Sequence, residues 1–297
     1  AYEGNDRQRL TTPLPRDLFA ITATAKYFNH AAVGVLPRPT ELALHEFVSA
    51  HAREGVLGTW PYERNMPAYR ECVARFIGAR AGEIAILRNT GDGAAALAAG
   101  FPWCEGDEVV MPDNEFPANV QPWLPVRKRG ATIRFVDSRR HRLTPDVLRA
   151  HVTPRTKVVT VSWVSFEDGY RHDLAALAEV AHEAGAIFCV DAIQGLGAFP
   201  LDVVAMGIDA VYAGGAKWML ALQGVSFLYV RSELIERLAV ATPGWRSSVD
   251  MWNFLNYEQP YVADATRFEG GTPNFIGALS LAESIEVLDA AGTSRIA

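Results

Sequence analysis

The sequence has little of what marks several classes of protein. Its 297 residues include three cysteines, Cys72, Cys104 and Cys189, which are too few and too scattered for a disulfide framework or a Cys/His metal site. No apolar run is long enough to cross a membrane, and no secretory signal is recognisable. The net charge is −6 and no basic run is interleaved with aromatic residues, so nothing indicates nucleic-acid binding. We predict a cytoplasmic protein with no metal, membrane or nucleic-acid partner.

What is present is typical of a large globular fold. Apolar residues make up 49% and charged residues 21% of the chain, and a chain of this length can bury a large core. Residues 1–25 contain Pro13 and Pro15 among polar residues and predict an extended N-terminal arm. After this arm, short apolar strands alternate with helical periodicity, which predicts an α/β fold in one large domain or two smaller ones, with short helical stretches expected after Asn119 and over residues 200–206. No G-x-G-x-x-G turn follows a strand, so a dinucleotide-binding enzyme is disfavoured.

The chain is organised around residues 186–219. Ala186–Val190 is a short apolar run after an alanine-rich helix, which predicts a buried parallel strand ending at Asp191. A second small strand, Ala210–Ala213, ends at two glycines and leads to Lys217. Because ligands of open α/β sheets bind beyond the carboxyl ends of the strands, the acid and the amine should face one crevice. Pyridoxal phosphate (PLP) needs such a pair, a lysine for its Schiff base and a carboxylate that keeps its ring nitrogen protonated.

The segments VDAIQGLG and AGGAKWM resemble the class V aminotransferase family of fold type I PLP enzymes. That family includes cysteine desulfurases, selenocysteine lyases, kynureninases and isopenicillin N epimerase-like proteins, and the resemblance extends from about Tyr27 to Ala290. It implies that residues 26–297 form one large PLP-binding α/β domain, with a mainly parallel seven-stranded sheet and helices on both faces. The short connection after Lys217 adds one antiparallel strand, Val225–Val230. Family members normally continue into a small C-terminal domain, which we expect to be absent from this chain.

The resemblance assigns further residues to the cofactor. Besides Asp191 and Lys217, the implied cofactor-binding residues are Thr90, Gly91, Asp92, Phe116, Ser165, Gln194, Gly214 and Thr272. The turn at positions 90–92 opens a helix, where free N–H groups and the helix dipole favour phosphate. Phe116 takes the place of the residue that stacks on the PLP ring. Gln194, one turn past Asp191, should reach the phenolic oxygen of the ring, alone or with Ser165.

Two other segments match functional parts of the family. Residues 27–34 resemble its N-terminal substrate loop, and the implied substrate contacts are Asn29, Ala31 and Ala32. The segment RFEGGTPN, residues 267–274, resembles a family signature whose Thr reaches the phosphate of the neighbouring subunit. Thr272 therefore implies a homodimer with isologous contacts. The same loop should also cap a helix over Phe275–Leu288.

Several departures from the family pattern bear on the reaction. Phe116 stands where desulfurases usually carry a His, and a phenyl ring cannot transfer a proton. Phe166 stands where relatives often carry an Asn, the residues before Lys217 lack the usual Ser and His, and no cysteine matches the desulfurase nucleophile. Candidate partners for a substrate carboxylate are Arg38, Arg246 and Arg267.

We therefore expect an amino acid substrate and an epimerase-like, lyase or aminotransferase reaction, with Lys217 as the base that takes the α-proton. One alternative is a cysteine desulfurase-type sulfur transferase. An alternative of another class is a non-catalytic relative that acts as a binding or scaffold subunit.

Overall fold

Residues 14–297, the part of the chain that the computed structural model describes, form a seven-stranded sheet enclosed by helices. The strands are β1 (Ile84–Leu87), β2 (Glu108–Pro112), β3 (Thr132–Val136), β4 (Thr156–Ser162), β5 (Ile187–Asp191), β6 (Ala210–Gly214) and β7 (Ser226–Val230). The helices are α1 (Arg38–Glu54), α2 (Val56–Arg64), α3 (Met66–Ile77), α4 (Thr90–Gly100), α5 (Pro145–Arg149), α6 (Leu174–Glu183), α7 (Ser232–Ile235), α8 (Phe275–Ala291) and α9 (Thr293–Ile296).

The strands lie in the order β1-β7-β6-β5-β4-β2-β3. Strand β7 is antiparallel to both of its neighbours, whereas the pairs from β6 across to β3 are parallel. Six strands therefore run in one direction and β7 runs in the other. The predicted sheet and its single return strand are confirmed, because a short connection cannot carry the crossover that a parallel strand needs.

Apolar side chains cover both faces of this sheet. On one face, Phe188 and Phe227 pack in a core with residues of α1, α3, α6 and α8. On the other face, Tyr212 and Leu228 pack with α4 and with Trp123. Every residue of β5, β6 and β7 is buried, which explains why these strands are continuous apolar runs in the sequence. The prediction of helices on both faces is confirmed.

Helix ends follow local signals in the sequence. Helix α3 ends at Gly78, which has a φ of +72° and so adopts the left-handed conformation that glycine tolerates. Helix α8 begins after Asn274, whose side-chain oxygen accepts a hydrogen bond from the N–H of Gly277 at 3.0 Å. The capping role predicted for the RFEGGTPN loop is therefore confirmed.

One helix predicted from the sequence does not form, and another forms as a 3-10 helix. Residues 200–206 form turns, in which the Asp202 carboxylate accepts hydrogen bonds from the N–H groups of Val204 and Ala205. Such a local side-chain contact competes with helix formation. The stretch after Asn119 is helical as expected, as a 3-10 helix over Leu124–Arg129 rather than an α-helix.

The predicted N-terminal arm falls partly outside the described residues, because these begin at Leu14. Within the described part, Arg16–Leu18 and Ala20–Ala23 form short 3-10 turns. The division of the chain into an arm and a large domain stays a prediction. No helix within residues 14–297 combines the length and the apolar character needed to cross a membrane.

Candidate active site

Asp191 is the last residue of β5 and lies beside Ser162 of β4 and Tyr212 of β6. Its side chain is almost completely buried, with 1% of its surface exposed. One carboxylate oxygen accepts a hydrogen bond from the N–H of Ile193 at 3.0 Å, whereas Oδ2 has no hydrogen-bond partner among the described residues. Burial raises the pKa of Asp191 to about 7, since the charged form loses its hydration. A buried acceptor that lacks a hydrogen-bond donor destabilises the fold. A ligand that donates a hydrogen bond to Oδ2 would remove this penalty.

Lys217 follows β6 and is half-buried. Its Nζ lies 5.6 Å from the centroid of the Phe116 ring. Burial lowers the pKa of the Lys217 amine, and the charge of Asp191 opposes that shift. Leu220, in the same loop, has a φ of +57°, which is strained for a side chain of its shape. A lysine with a lowered pKa is more often neutral and hence nucleophilic.

The start of helix α4 lies against the end of β6. Thr90 Oγ1 accepts a hydrogen bond from the N–H of Gly214 at 3.0 Å. Asn89 caps the helix by accepting a hydrogen bond from the N–H of Asp92 at 3.0 Å, and the Asp92 carboxylate pairs with Arg88 at 2.7 Å. Positions 90 to 92, including Gly91, thus form the first turn of a helix whose N-terminus is tied to the strand that leads to Lys217. This geometry suits a phosphate group.

The loop that carries the predicted substrate contacts lies on the segment around Lys217. The N–H of Gly34 donates to the backbone oxygen of Ala216 at 2.7 Å. A Cβ atom at Gly34 would lie only 2.0 Å from the backbone oxygen of Lys217, so the close approach requires glycine. Within the loop, the backbone oxygen of Asn29 accepts a hydrogen bond from the N–H of Ala32 at 3.1 Å.

Gln194 joins this loop to the residue after Lys217. Its Nε2 donates to the backbone oxygen of Ala31 at 3.1 Å, and its Oε1 accepts a hydrogen bond from Trp218 Nε1 at 2.9 Å. Trp218 in turn stacks on His30, with ring centroids 5.4 Å apart. An amide nitrogen carries two hydrogens, so Gln194 keeps one donor for a ring oxygen. The role of Trp218 was missed, although an indole N–H near a site generally has a partner.

Two aromatic rings line the space beside Lys217. Phe116 and Phe166 meet edge to face, with centroids 5.3 Å apart and an interplanar angle of 77°. They remain 42% and 47% exposed, and we call this pair the aromatic wall. Ser165, the neighbour of Phe166, is buried, and its N–H donates to the backbone oxygen of Tyr170 at 2.9 Å.

A buried polar network that the sequence did not reveal lies behind the aromatic wall. Glu115 accepts hydrogen bonds from the N–H and the Oγ of Ser162 at 2.6 and 2.5 Å, and from Asn119 Nδ2 at 2.9 Å. Asn119 Oδ1 accepts hydrogen bonds from Thr160 Oγ1 at 2.9 Å and from the Tyr212 hydroxyl at 2.5 Å. Burial raises the pKa of Glu115. The network ties the turn that carries Phe116 to β4 and β6, the two strands that flank Asp191.

Thr272 shares a cavity with residues at the start of α4. It is exposed and lines a cavity of about 430 Å³ together with Arg88 and Asp92. Its contact with the phosphate of a neighbouring subunit stays a prediction.

The three arginines considered for a substrate carboxylate already have partners in the chain. Arg38 pairs with Glu41 at 3.0 Å, and Arg246 pairs with Glu63 at 2.7 Å. Arg267 donates to a backbone carbonyl at 3.4 Å. Each arginine would therefore have to exchange or share a partner to bind a substrate.

Comparison with known proteins assigns the chain to a family. The family described as Aminotransferase class-V matches residues 27–297. The chain belongs to the class V aminotransferase family. The resemblance inferred from the segments around Asp191 and Lys217 is thereby confirmed.

Individual relatives agree with this assignment. The uncharacterized aminotransferase YcbU of Bacillus subtilis is 29% identical over 281 residues, which are 95% of this chain and 74% of that protein. A probable cysteine desulfurase of Methanothermobacter thermautotrophicus is 30% identical over 277 residues, or 91% of this chain and 68% of that protein. The apo structure of a cysteine desulfurase from Thermococcus onnurineus has a TM-score of 0.85 at 27% identity, covering 95% of this chain and 72% of that one.

This class V aminotransferase is accordingly a fold type I, PLP-dependent enzyme that acts on an amino acid. The residues present fit the cofactor. The unpartnered Asp191 Oδ2 suits a protonated ring nitrogen, the Lys217 amine suits an aldehyde, and the start of α4 suits a phosphate.

Proposed function

We propose that Lys217 holds PLP and that Asp191 pairs with the ring nitrogen of the cofactor. The observation that carries this proposal is Asp191 Oδ2, which is buried and has no partner among the described residues. When bound, PLP supplies an aldehyde that condenses with amines and a ring that accepts carbanion electrons. A ring N–H would give Oδ2 its missing donor, and an ionised Asp191 would keep that nitrogen protonated.

Lys217 is also the group that we propose to take the proton from the substrate Cα. Its pKa is lowered by burial, so a neutral amine is more accessible near neutral pH. The aromatic wall beside it can cover a ring but cannot exchange a proton. We therefore favour epimerase-like, lyase or aminotransferase chemistry, in which the essential proton moves at Cα.

The other predicted site residues complete the proposal. Thr90, Gly91, Asp92 and Gly214 would hold the phosphate at the start of α4, and Ser165 and Gln194 would bind the ring oxygen. The loop residues Asn29, Ala31 and Ala32 would contact the substrate. The exposure of Thr272 supports a homodimer in which this residue completes the partner's phosphate site. We also propose that the enzyme is cytoplasmic, as the sequence predicts.

A second candidate is cysteine desulfuration, which the names of several relatives favour. The positions of the cysteines in this chain weigh against it. Cys72 and Cys189 are buried, and burial raises the pKa of Cys72 to about 12. The exposed Cys104 lines a cavity with Ala186 and Ile187, at the end of β5 opposite to Asp191. None of the three thiols is therefore available beside Lys217.

The test is the visible absorption spectrum of the purified, PLP-supplemented protein before and after borohydride, with Lys217→Ala as the control. We expect a band that borohydride removes and that the variant lacks. Product analysis with a panel of amino acids then sorts the reaction, and sulfide release from L-cysteine would favour the second candidate. A wild-type protein without any such band would leave the non-catalytic scaffold as the better hypothesis.

A further inference from the structure

We propose that the aromatic wall is the side-chain subsite of this enzyme and that it selects amino acids with an apolar side chain, aromatic or branched. The inference rests on the proposed role of Lys217 and deepens it by naming the class of substrate. The residue that would decide this selectivity is Phe166.

The aromatic wall lies next to the amine of Lys217. Phe116 lies against the amine, with 5.6 Å between Lys217 Nζ and its ring centroid. A cofactor held by Lys217 would therefore have Phe116 beside it. Phe166 meets Phe116 edge to face, at 5.3 Å between centroids, and so extends the wall by one ring. The part of the ligand that reaches Phe166 would then be the side chain of the substrate.

The two rings of the wall are unusually exposed for aromatic side chains. Both are more than two-fifths exposed, although aromatic side chains of this size gain most from burial. Apolar surface left uncovered beside a catalytic group is typical of a ligand-binding site. A phenyl or branched aliphatic group would cover Phe166, whereas a charged or strongly hydrated group would lose its water there without a partner.

Charges near Phe166 point in the same direction. The exposed residues that follow it are Glu167 and Asp168, and both are carboxylates that would repel an acidic substrate side chain. The guanidinium groups of Arg142 and Arg171, in the same region, lie over the rings of Tyr170 and Phe199 at 4.5 Å and are thus engaged. The wall therefore offers apolar contact, and the cation recorded on it within residues 14–297, Lys217, would be engaged by the cofactor.

The experiment mixes the PLP-loaded enzyme with single amino acids in a stopped-flow instrument and follows the first change of the cofactor's visible band, which reports binding before product accumulates. The probes are L-phenylalanine, L-leucine, L-alanine, L-cysteine, L-glutamate and L-lysine, and the proteins are wild type, Phe166→Ala and Phe166→Leu. Phe135→Ala is the matched control, because Phe135 lies on the edge strand β3 with 43% of its surface exposed.

We expect L-phenylalanine and L-leucine to reach half-saturation at concentrations about tenfold lower than L-alanine or the charged amino acids. Phe166→Ala should remove this preference while leaving the binding of L-alanine within about twofold of wild type. Phe166→Leu should retain much of it, and Phe135→Ala should change nothing.

Two results would overturn the inference. One is a wild-type preference for L-cysteine, L-glutamate or L-lysine, and the other is an equal loss of affinity for every amino acid in Phe166→Ala. A wild-type enzyme with no borohydride-sensitive band would instead refute the proposed function, so the two failures are distinguishable.

Discussion

Replacing Asp191 by Asn should stabilise the cofactor-free protein and weaken its binding of PLP. Asp191 ionises in a fully enclosed position, where burial raises its pKa from about 3.8 to about 7. The hydrogen bond from the N–H of Ile193 and the charge of Lys217 act in the opposite direction but do not cancel the effect of burial. Asn has nearly the same shape, can accept the same hydrogen bond through its oxygen, and does not ionise.

The size of the effect depends on pH. Because the folded pKa lies above the unfolded pKa, the folded state binds this proton more tightly, and Asp191 destabilises the protein increasingly as pH rises from about 4 to about 7. At about 1.4 kcal/mol per pKa unit, this difference in proton affinity lowers the free energy of unfolding by about 2 kcal/mol at pH 5, where Asp191 ionises mainly in the unfolded state, and by about 4 kcal/mol at pH 8. The advantage of the Asn variant should therefore grow by about 2 to 3 kcal/mol between these two pH values.

Urea unfolding of the cofactor-free wild type and of Asp191→Asn at both pH values measures this difference, and other titrating groups are common to the two proteins. A stability gap that is the same at both pH values, or a wild type that is the more stable at pH 8, would refute the reasoning. PLP should stabilise the wild type more than the variant, because a ligand stabilises in proportion to its affinity for the folded state. At saturating PLP, the difference in free energy of unfolding between the variant and the wild type should therefore become smaller or change sign.

Three further substitutions test the support of the site. Gly34→Ala would place a methyl group 2.0 Å from the backbone oxygen of Lys217, and it should cost about 1 to 3 kcal/mol and weaken PLP binding, as thermal unfolding with and without PLP would detect. Glu115→Ala removes the acceptor of three buried hydrogen bonds and should lower the free energy of unfolding by about 1 to 3 kcal/mol, whereas Glu115→Gln should lower it less. Equal losses for the two variants in urea unfolding would show that these hydrogen bonds do not stabilise the fold. Arg70→Met removes the partner of the Glu269 carboxylate, whose side chain is only 2% exposed, and should lower the free energy of unfolding by about 3 to 5 kcal/mol. Adding Glu269→Gln to this variant should recover part of that loss.

The sequence predicted those parts of the structure that depend on local signals. The apolar runs of β5 and β6 end at Asp191 and Gly214, so the edge of the sheet that carries the site could be read from strand boundaries alone. The antiparallel direction of β7 followed from the shortness of the connection after Lys217. In both cases the structural feature is determined by residues that are neighbours in the sequence.

The parts that were missed or wrong depend on contacts between distant residues. Glu115 meets Ser162 across 47 residues of sequence, and nothing local indicates that partner. The apolar spacing of residues 200–206 imitates a helix, but the N–H of Val203 donates to the backbone oxygen of Ile77 at 2.9 Å. A tertiary hydrogen bond there replaces the helical one, and periodicity alone cannot anticipate it.

The features that make this site unfavourable without a ligand all concern the same few residues. Asp191 is buried with an oxygen that lacks a donor, Lys217 has a lowered pKa, Leu220 is strained, and the aromatic wall is exposed. A planar ring with a protonated nitrogen and an aldehyde would supply the missing donor, engage the amine and cover part of the wall. Because one ligand relieves several of these costs together, its binding should be coupled to the order of the loops around Lys217. A substitution such as Gly34→Ala that separates the N-terminal loop from Lys217 should therefore weaken PLP binding, even though Gly34 has no side chain to contact the cofactor.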